Sequence, residues 1–575
     1  MPIKSRWTID IPRCSLPTFL FGSSANLPHA PNNPDKVYLA EAARPGTHFL
    51  TRASFQLWCQ RFALGLRESG WFHPGDRLLL FSPNDIFVPV IFMGTIMAGG
   101  IFTGANPTFT SRELAYQLRD SGATLILCHN SALQTGLQAA KEARLDLSRV
   151  FVFDSAVYDG SGSGVAGAAY WGDLISANAE KAKHFVWDDL TGPGESDRIL
   201  ALNYSSGTTG FPKGVEISHL NYISNTMQTV YAMQLHPDYE MRKATGISLA
   251  YLPLYHAYGQ TVYIASYFHH ERTVLVMAKF DFVQMLEYVQ KYKVTDLHLV
   301  PPIALALAKH PIVDKYDLRT VNFIGCGSAP LGRDIAEQVE RRLNRKRKEE
   351  EMLNMKQGWG MTETTCSLLF PYINGVVNDN SVGEPLAGTE AMIVDEHTGK
   401  EITARGPEAR GELWCRGLNI MKGYWKNPQA TAETLTPDGW LKTGDIAYVT
   451  LAGEFVIVDR LKELIKVKGH QVAPAELEAL LLEHPAINDA AVIGIPTPDG
   501  DESPHAFIVR EPSKAGNLMT AIEIQKFVEA KVARYKRLSG GATFVEEIPR
   551  NPSGKILRRQ LRDRYVSKKG YSARL

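Results

Sequence analysis

The feature that most constrains this chain is a repeated alternation of short apolar runs with helical stretches. Arg77-Leu78-Leu79-Leu80-Phe81 precedes an apolar helical segment, residues 123–128 follow a polar one, and Val150-Phe151-Val152-Phe153 comes next. Residues 247–251 and 321–324 repeat the pattern further on. Strand, helix and strand at this spacing argue for parallel α/β layers. At 575 residues the chain has room for several domains, and 44% hydrophobic residues are enough for a large core.

Residues 86–111 carry no charged side chain, so a membrane span would have to lie there. Pro89, Gly94, Gly99, Gly100, Gly104 and Pro107 interrupt them, and Ser82-Pro83-Asn84-Asp85 in front reads as a helix start. A buried helix and a short strand explain the stretch without a bilayer. Lys+Arg 62 against Asp+Glu 61 gives no electrostatic case for a nucleic-acid partner. The six cysteines are scattered with no CxxC pair, which argues against a disulfide framework or a structural zinc site. No apolar signal region occupies residues 1–12.

Residues 159–164, rich in Gly and Ser, are expected as a surface loop, and the charge run 340–351 as a solvated helix face with i,i+4 pairs. From about Ala387 the texture shifts to short β segments broken by Gly and Pro. The last change falls near Asp459-Arg460, which divides the chain into an expected large domain, 1–459, and a small α+β domain, 460–575.

The stretch with chemistry on its face is Tyr204-Ser205-Ser206-Gly207-Thr208-Thr209-Gly210-Phe211-Pro212-Lys213-Gly214, after the strand-like Ile199-Leu200-Ala201-Leu202. Glycines free the backbone N–H groups, and hydroxyls and a lysine supply further donors and a cation. An anionic polyphosphate needs those groups. The spacing is not that of the P-loop NTPases, and an ordinary linker would not need the rigid Pro212-Lys213-Gly214 ending.

With these residues the chain resembles the adenylate-forming superfamily of acyl-CoA synthetases, luciferases and adenylation domains, and within it the 4-coumarate:CoA ligase-like acyl-CoA ligases. The family's motifs follow in order: Leu252-Pro253-Leu254-Tyr255-His256-Ala257-Tyr258, Gly327-Ser328-Ala329-Pro330, Gln357-Gly358-Trp359-Gly360-Met361-Thr362-Glu363, Thr443-Gly444-Asp445, Asp459-Arg460-Leu461-Lys462 running on to Gln471, and Pro549-Arg550-Asn551-Pro552-Ser553-Gly554-Lys555. The resemblance implies an α/β fold: a large N-terminal domain of doubly wound α/β subdomains plus a distorted β-barrel, then a small mobile α+β C-terminal lid. It implies an ATP-dependent acyl-CoA ligase that works through acyl-AMP, with ATP and coenzyme A as cosubstrates and Mg²⁺ as cofactor.

The implied roles are specific. Ser205, Ser206, Gly207, Thr208, Thr209, Gly210 and Lys213 would hold the phosphates. Gln357, Gly358, Trp359, Gly360, Met361, Thr362, Asp445 and Arg460 would hold the nucleotide, with Trp359 against adenine and Asp445 on the ribose hydroxyls. Glu363 would hold the metal ion, and Lys555 would stabilise charge building on the α-phosphorus. His256 would be a gate between acyl pocket and thiol tunnel, Tyr258, Gly327 and Ser328 would line the pocket, and Lys466, Gln471, Lys468 and Gly469 would serve the coenzyme A step. The acid reads as aromatic or medium-chain.

A luciferase-like oxygenase and an adenylating enzyme that loads a carrier protein share these motifs. Amino-acid-loading modules carry an Asp near the position of His256, which is absent here. A non-enzymatic binding protein would be expected to lack Lys555, Asp445 or Lys213, and all are present. Finally, Ala573-Arg574-Leu575 keeps the small–basic–leucine pattern read by the peroxisomal import receptor, so a peroxisomal location is expected, and otherwise a cytoplasmic one.

Overall fold

The leucines of strand Arg77–Phe81 are fully buried because parallel strands flank it on both sides: Ile101–Ala105 and Leu125–His129. A computed structural model describes residues 1–205, 212–372, 380–468, 470–497, 501–512, 516 and 518–569. The first sheet has eight strands, in the order Gly423–Tyr424, Lys213–Ser218, Ile199–Ser205, Ile101–Ala105, Arg77–Phe81, Leu125–His129, Val150–Phe153 and Ala169–Tyr170. It is parallel from Ile199–Ser205 onward. The second has seven: Lys356–Gln357, Phe323–Cys326, Asp296–Leu299, Ile247–Ala250, Thr273–Val276, Val37–Glu41 and Phe49–Thr51, parallel except at the last pair.

The expected barrel is an open half-barrel. Its seven antiparallel strands are Ile3–Lys4, Glu390–Val394, Gly411–Arg416, Leu441–Val449, Phe455–Arg460, Ser381–Pro385 and Leu369–Phe370. The C-terminal unit pairs Ile487–Pro496, Glu502–Arg510 and Gly541–Phe544 with helices Pro474–Leu482, Ala521–Glu529 and Arg558–Lys569 around apolar clusters of its own.

The charge-free segment is helix Val88–Met97, buried throughout, and strand Ile101–Ala105. Asp85 accepts the Phe87 N–H at 2.8 Å in the turn before the helix, Pro89 stands in its first turn, and Gly99, at φ +80°, turns the chain out of it. Among the described residues no helix is long and apolar enough to cross a membrane. Asn84 ties this corner to the second sheet, donating to the Leu252 carbonyl (3.0 Å) and accepting the Leu254 N–H (2.8 Å), which fixes the approach to Tyr255 and His256.

The charge run departs in part from expectation. Arg341, Arg345, Lys346, Lys348, Glu349 and Glu351 are exposed as expected, but helix Arg333–Asn344 ends before most of the run. Glu340 is buried and accepts the Met355 N–H (2.8 Å), while Arg347 donates to the Leu318 (3.1 Å) and Val321 (2.6 Å) carbonyls. Irregular segments on either side leave backbone groups that need partners, and these charged side chains supply them.

Candidate active site

Strands Ile199–Ser205 and Lys213–Ser218 form an antiparallel pair with Ser205 opposite Lys213, so the glycine-rich stretch is held at both ends by one hairpin. Ser206, Gly207, Thr208, Thr209 and Gly210 lie outside the described residues. The Lys213 ammonium stands 3.9 Å from the centre of the Tyr424 ring. The Tyr424 hydroxyl donates to Glu363 Oε1 at 2.9 Å, which leaves Oε2 of this buried carboxylate for a further ligand.

Glu363 sits on the one-turn helix Thr362–Thr364, directly after Gly358-Trp359-Gly360-Met361. Gly360 is obligatory there: a Cβ would fall 1.7 Å from the Cys366 carbonyl oxygen. Trp359 is buried and its indole N–H donates to Asp445 Oδ2 at 2.8 Å. Arg460 Nε lies 3.2 Å from Asp445 Oδ1, yet that oxygen accepts no aligned hydrogen bond. A buried acceptor left open in this way suits a ribose hydroxyl. Gln357 is committed elsewhere, since its amide both donates to and accepts from the Leu331 backbone at 3.0 Å.

Lys555 completes the cleft from the C-terminal unit. The turn that carries it is stiffened by Asn551, whose carbonyl accepts the Gly554 N–H (2.8 Å) and whose side chain accepts the Lys555 N–H (2.9 Å). Gly554 adopts φ +84°, a Cβ there would meet Val300 at 3.2 Å and Pro302 at 3.3 Å, and Ser328 donates to the Ser553 carbonyl at 2.7 Å. Burial, and next the charge of Arg460, push the Lys555 ammonium down to about 8 against the pull of Asp445 and Glu363. In the same way burial, then Lys555, hold His256 down to about 4, so its imidazole is neutral at pH 7. Four groups expected around the nucleotide and metal therefore share one cleft with the gate histidine.

The coenzyme A residues are not brought there. Lys466 and Lys468 are exposed, Gln471 donates to Glu396 at 2.6 Å, and Gly469 lies outside the described residues.

The acyl side is built around the turn 252–258. Gly104 lets strand Ile101–Ala105 pass against it, since a Cβ there would be 2.8 Å from Tyr255. Gln260 accepts from Asn203 (3.0 Å) and donates to the Tyr255 carbonyl (2.8 Å), which anchors the turn to the phosphate-loop strand. Gly327 has open space where a side chain would be, the nearest atom to its would-be Cβ being the Gly358 carbonyl oxygen at 3.8 Å. The Tyr258 hydroxyl meets His298 Nδ1 at 2.6 Å, and Tyr267 meets His298 Nε2 at 2.5 Å. His298 was missed by motif reading. Nothing in the sequence marks it, since strand Asp296–Leu299 reads as polar through its Asp and His yet is buried at every position.

Comparison with known proteins gives the family and the fold. Residues 28–425 match the model of the AMP-binding enzyme family, and residues 476–555 match the AMP-binding enzyme C-terminal domain. The chain is 37% identical over 537 residues to 4-coumarate–CoA ligase 1 of Petroselinum crispum, spanning 93% of this chain and 92% of that protein. It superposes on ATP-bound MatB from Rhodopseudomonas palustris with a TM-score of 0.80 at 26% identity, covering 96% and 98% of the two chains. Against apo MatB, at the same identity and coverage, the TM-score is 0.70.

Proposed function

The chain belongs to the AMP-binding enzyme family, and on that footing we propose how its residues divide the work of activating a carboxylic acid. It is an AMP-forming acid–thiol ligase. The carboxylate oxygen bonds to the α-phosphorus of ATP as the bond to pyrophosphate breaks. The coenzyme A sulfur then bonds to the acyl carbon as AMP departs, and the thiol proton passes to solvent.

The observation that carries the division of labour is Lys555 in one cleft with Asp445, Arg460, Glu363 and His256. There it serves adenylation, where negative charge accumulates on phosphorus. Asp445 takes the ribose hydroxyls beside Trp359. Lys213, with Ser205 and the loop between them, takes the terminal phosphates. Glu363 suits Mg²⁺, which is typically bound through one or two carboxylates together with waters and nucleotide phosphates and would offset charge on them. Neutral His256 acts as a gate, not as an acid. The better match to ATP-bound than to apo MatB supports a lid in the adenylation orientation. Rotation about Asp459-Arg460-Leu461-Lys462 would withdraw Lys555 and bring in Lys466, Lys468, Gly469 and Gln471 for the thioester step. The acid is aromatic, of the kind named for the parsley relative, or medium-chain, and is received against Tyr258, Gly327 and Ser328.

Pyrophosphate release from ATP with a panel of acids, with and without coenzyme A and with mass detection of the thioester, tests the reading. Release without thioester would point to carrier loading or to a luciferase-like oxygenase. The location we propose is peroxisomal, through receptor recognition of Ala573-Arg574-Leu575, which lies outside the described residues. Deleting those three residues from a tagged protein turns a punctate signal diffuse; an unchanged pattern contradicts it.

A further inference from the structure

Helix Pro301–Lys309 of the large domain meets the C-terminal unit at both of its ends. At its start the chain of the Lys555 turn comes close, since a Cβ on Gly554 would lie 3.2 Å from Val300 and 3.3 Å from Pro302. At its other end the Lys309 ammonium donates to the carbonyls of Leu482 (3.2 Å) and Ile487 (2.8 Å). With a rise of about 1.5 Å per residue, the two contacts stand about 12 Å apart along one rigid rod.

The carbonyls that Lys309 takes are ones that regular structure leaves open. Leu482 ends helix Pro474–Leu482, where the last carbonyls have no partner within the helix and carry its negative end. Ile487 opens strand Ile487–Pro496, just where the register against Glu502–Arg510 shifts before Asp489. Burial pushes the ammonium below the usual lysine range, and Glu511 and then Asp489, both in the C-terminal unit, pull it back. Asp489 also pairs with Arg550 at 2.9 Å, and Arg550 donates to the Gly554 carbonyl at 3.0 Å. The strand gripped by Lys309 therefore braces the turn that rests on the far end of the same helix.

A turn of the C-terminal unit that withdraws Lys555 must lift the neighbouring Gly554 off Val300 and Pro302. With the pivot at Asp459-Arg460, the same turn draws Leu482 and Ile487 away from Lys309. We propose that helix Pro301–Lys309 is the seat that registers the C-terminal unit for adenylation, and that Lys309 is a positioning residue that weights this orientation against the one for the thioester step. The inference rests on the ligase reading with two lid orientations, and adds to it the contact that sets their balance.

The test measures two constants on one sample of full-length enzyme: kcat/KM for ATP in pyrophosphate release with an acid that is turned over, and kcat/KM for chemically supplied acyl-AMP at saturating coenzyme A. Each scales with the fraction of free enzyme in its own orientation, so their ratio follows the orientation balance and any loss of folded protein cancels. Lys309→Met keeps the apolar stem and removes the ammonium; it lowers the ratio of adenylation to thioester formation by about tenfold, the scale of a hydrogen bond from a charged donor. Lys309→Arg, which keeps a donor cation, stays within about threefold of wild type. Lys309→Gln, a second neutral variant should the methionine fail to fold, lowers the ratio in the same direction. A merely structural role would lower both constants alike, and a wild-type ratio in the neutral variants would overturn the proposal. Lys555→Ala in the same assay separates the two readings. If it splits the half-reactions while the neutral Lys309 variants do not, the seat is wrong and the two orientations stand. If it slows both equally, the two-orientation reading falls and the seat with it.

Discussion

A methyl group at residue 360 would sit 1.7 Å from a backbone oxygen, so Gly360→Ala must shift the turn that carries Thr362 and Glu363. Overpacking of this kind costs about 1–3 kcal/mol, and denaturant unfolding should show a loss in that range together with a raised KM for ATP. Lys555 gives a pH prediction. Its ammonium is held down to about 8, by burial first and Arg460 second, so in the free enzyme it loses its proton as pH rises through that value. Adenylation kcat/KM should therefore fall above about pH 8, and Lys555→Arg should move that limb to higher pH, because a guanidinium does not titrate there. A limb unchanged by the arginine would assign it to another group. Single residues were legible unevenly in the sequence. Asp445 and Trp359, from separate motifs, meet in one hydrogen bond, because a short motif fixes local backbone and neighbours. Gln357 belongs to such a motif too, yet its amide turns to Leu331, and which way a side chain points depends on packing that sequence does not spell out.

At the scale of elements, the charge run separates two kinds of arginine. Arg347 satisfies two carbonyls of the loop near residues 318–321, whereas the Arg345 side chain is 66% exposed and pairs only with Asp314 at 3.2 Å. Arg347→Ala should destabilise by about 1–3 kcal/mol, since it strands buried acceptors, and Arg345→Ala should stay within about 0.5 kcal/mol. Comparable losses would mean that the network is surface decoration. Strands such as Arg77–Phe81 and Val150–Phe153 could be read directly because sheets covered by helices on both faces leave uninterrupted apolar runs. Asp296–Leu299 could not, because its ion pair and its histidine, though fully buried, spell a polar segment. The solvated reading of residues 340–351 holds for Arg341, Arg345, Lys346, Lys348, Glu349 and Glu351, which are exposed, and fails for Glu340 and Arg347 for the same reason: charge in sequence does not reveal which charges have buried partners.

For the whole molecule, the C-terminal unit has its own cores and meets the large domain through polar contacts and one small apolar cluster, Ile446 with Leu464 and Ala473. Lys309 donates to the Leu482 (3.2 Å) and Ile487 (2.8 Å) carbonyls, Ser328 to Ser553, and Gln471 to Glu396. At the boundary, the buried Asp459 carboxylate accepts the Ala475 N–H at 2.9 Å in the first turn of helix Pro474–Leu482. A unit with an independent core, joined to its neighbour by a few polar contacts and one small apolar cluster, can rotate as a body. The order of motifs puts Lys466, Gln471 and Lys555 late in the chain, but only the structure tells which face of the C-terminal unit meets the cleft. The most direct test of the two-face account is Lys555→Ala assayed in separate half-reactions. Acyl-AMP formation should slow by a factor of about 10²–10³, while chemically supplied acyl-AMP and coenzyme A should be consumed at near the wild-type rate. Equal slowing of both half-reactions would contradict the account and make Lys555 a residue that holds the lid in place.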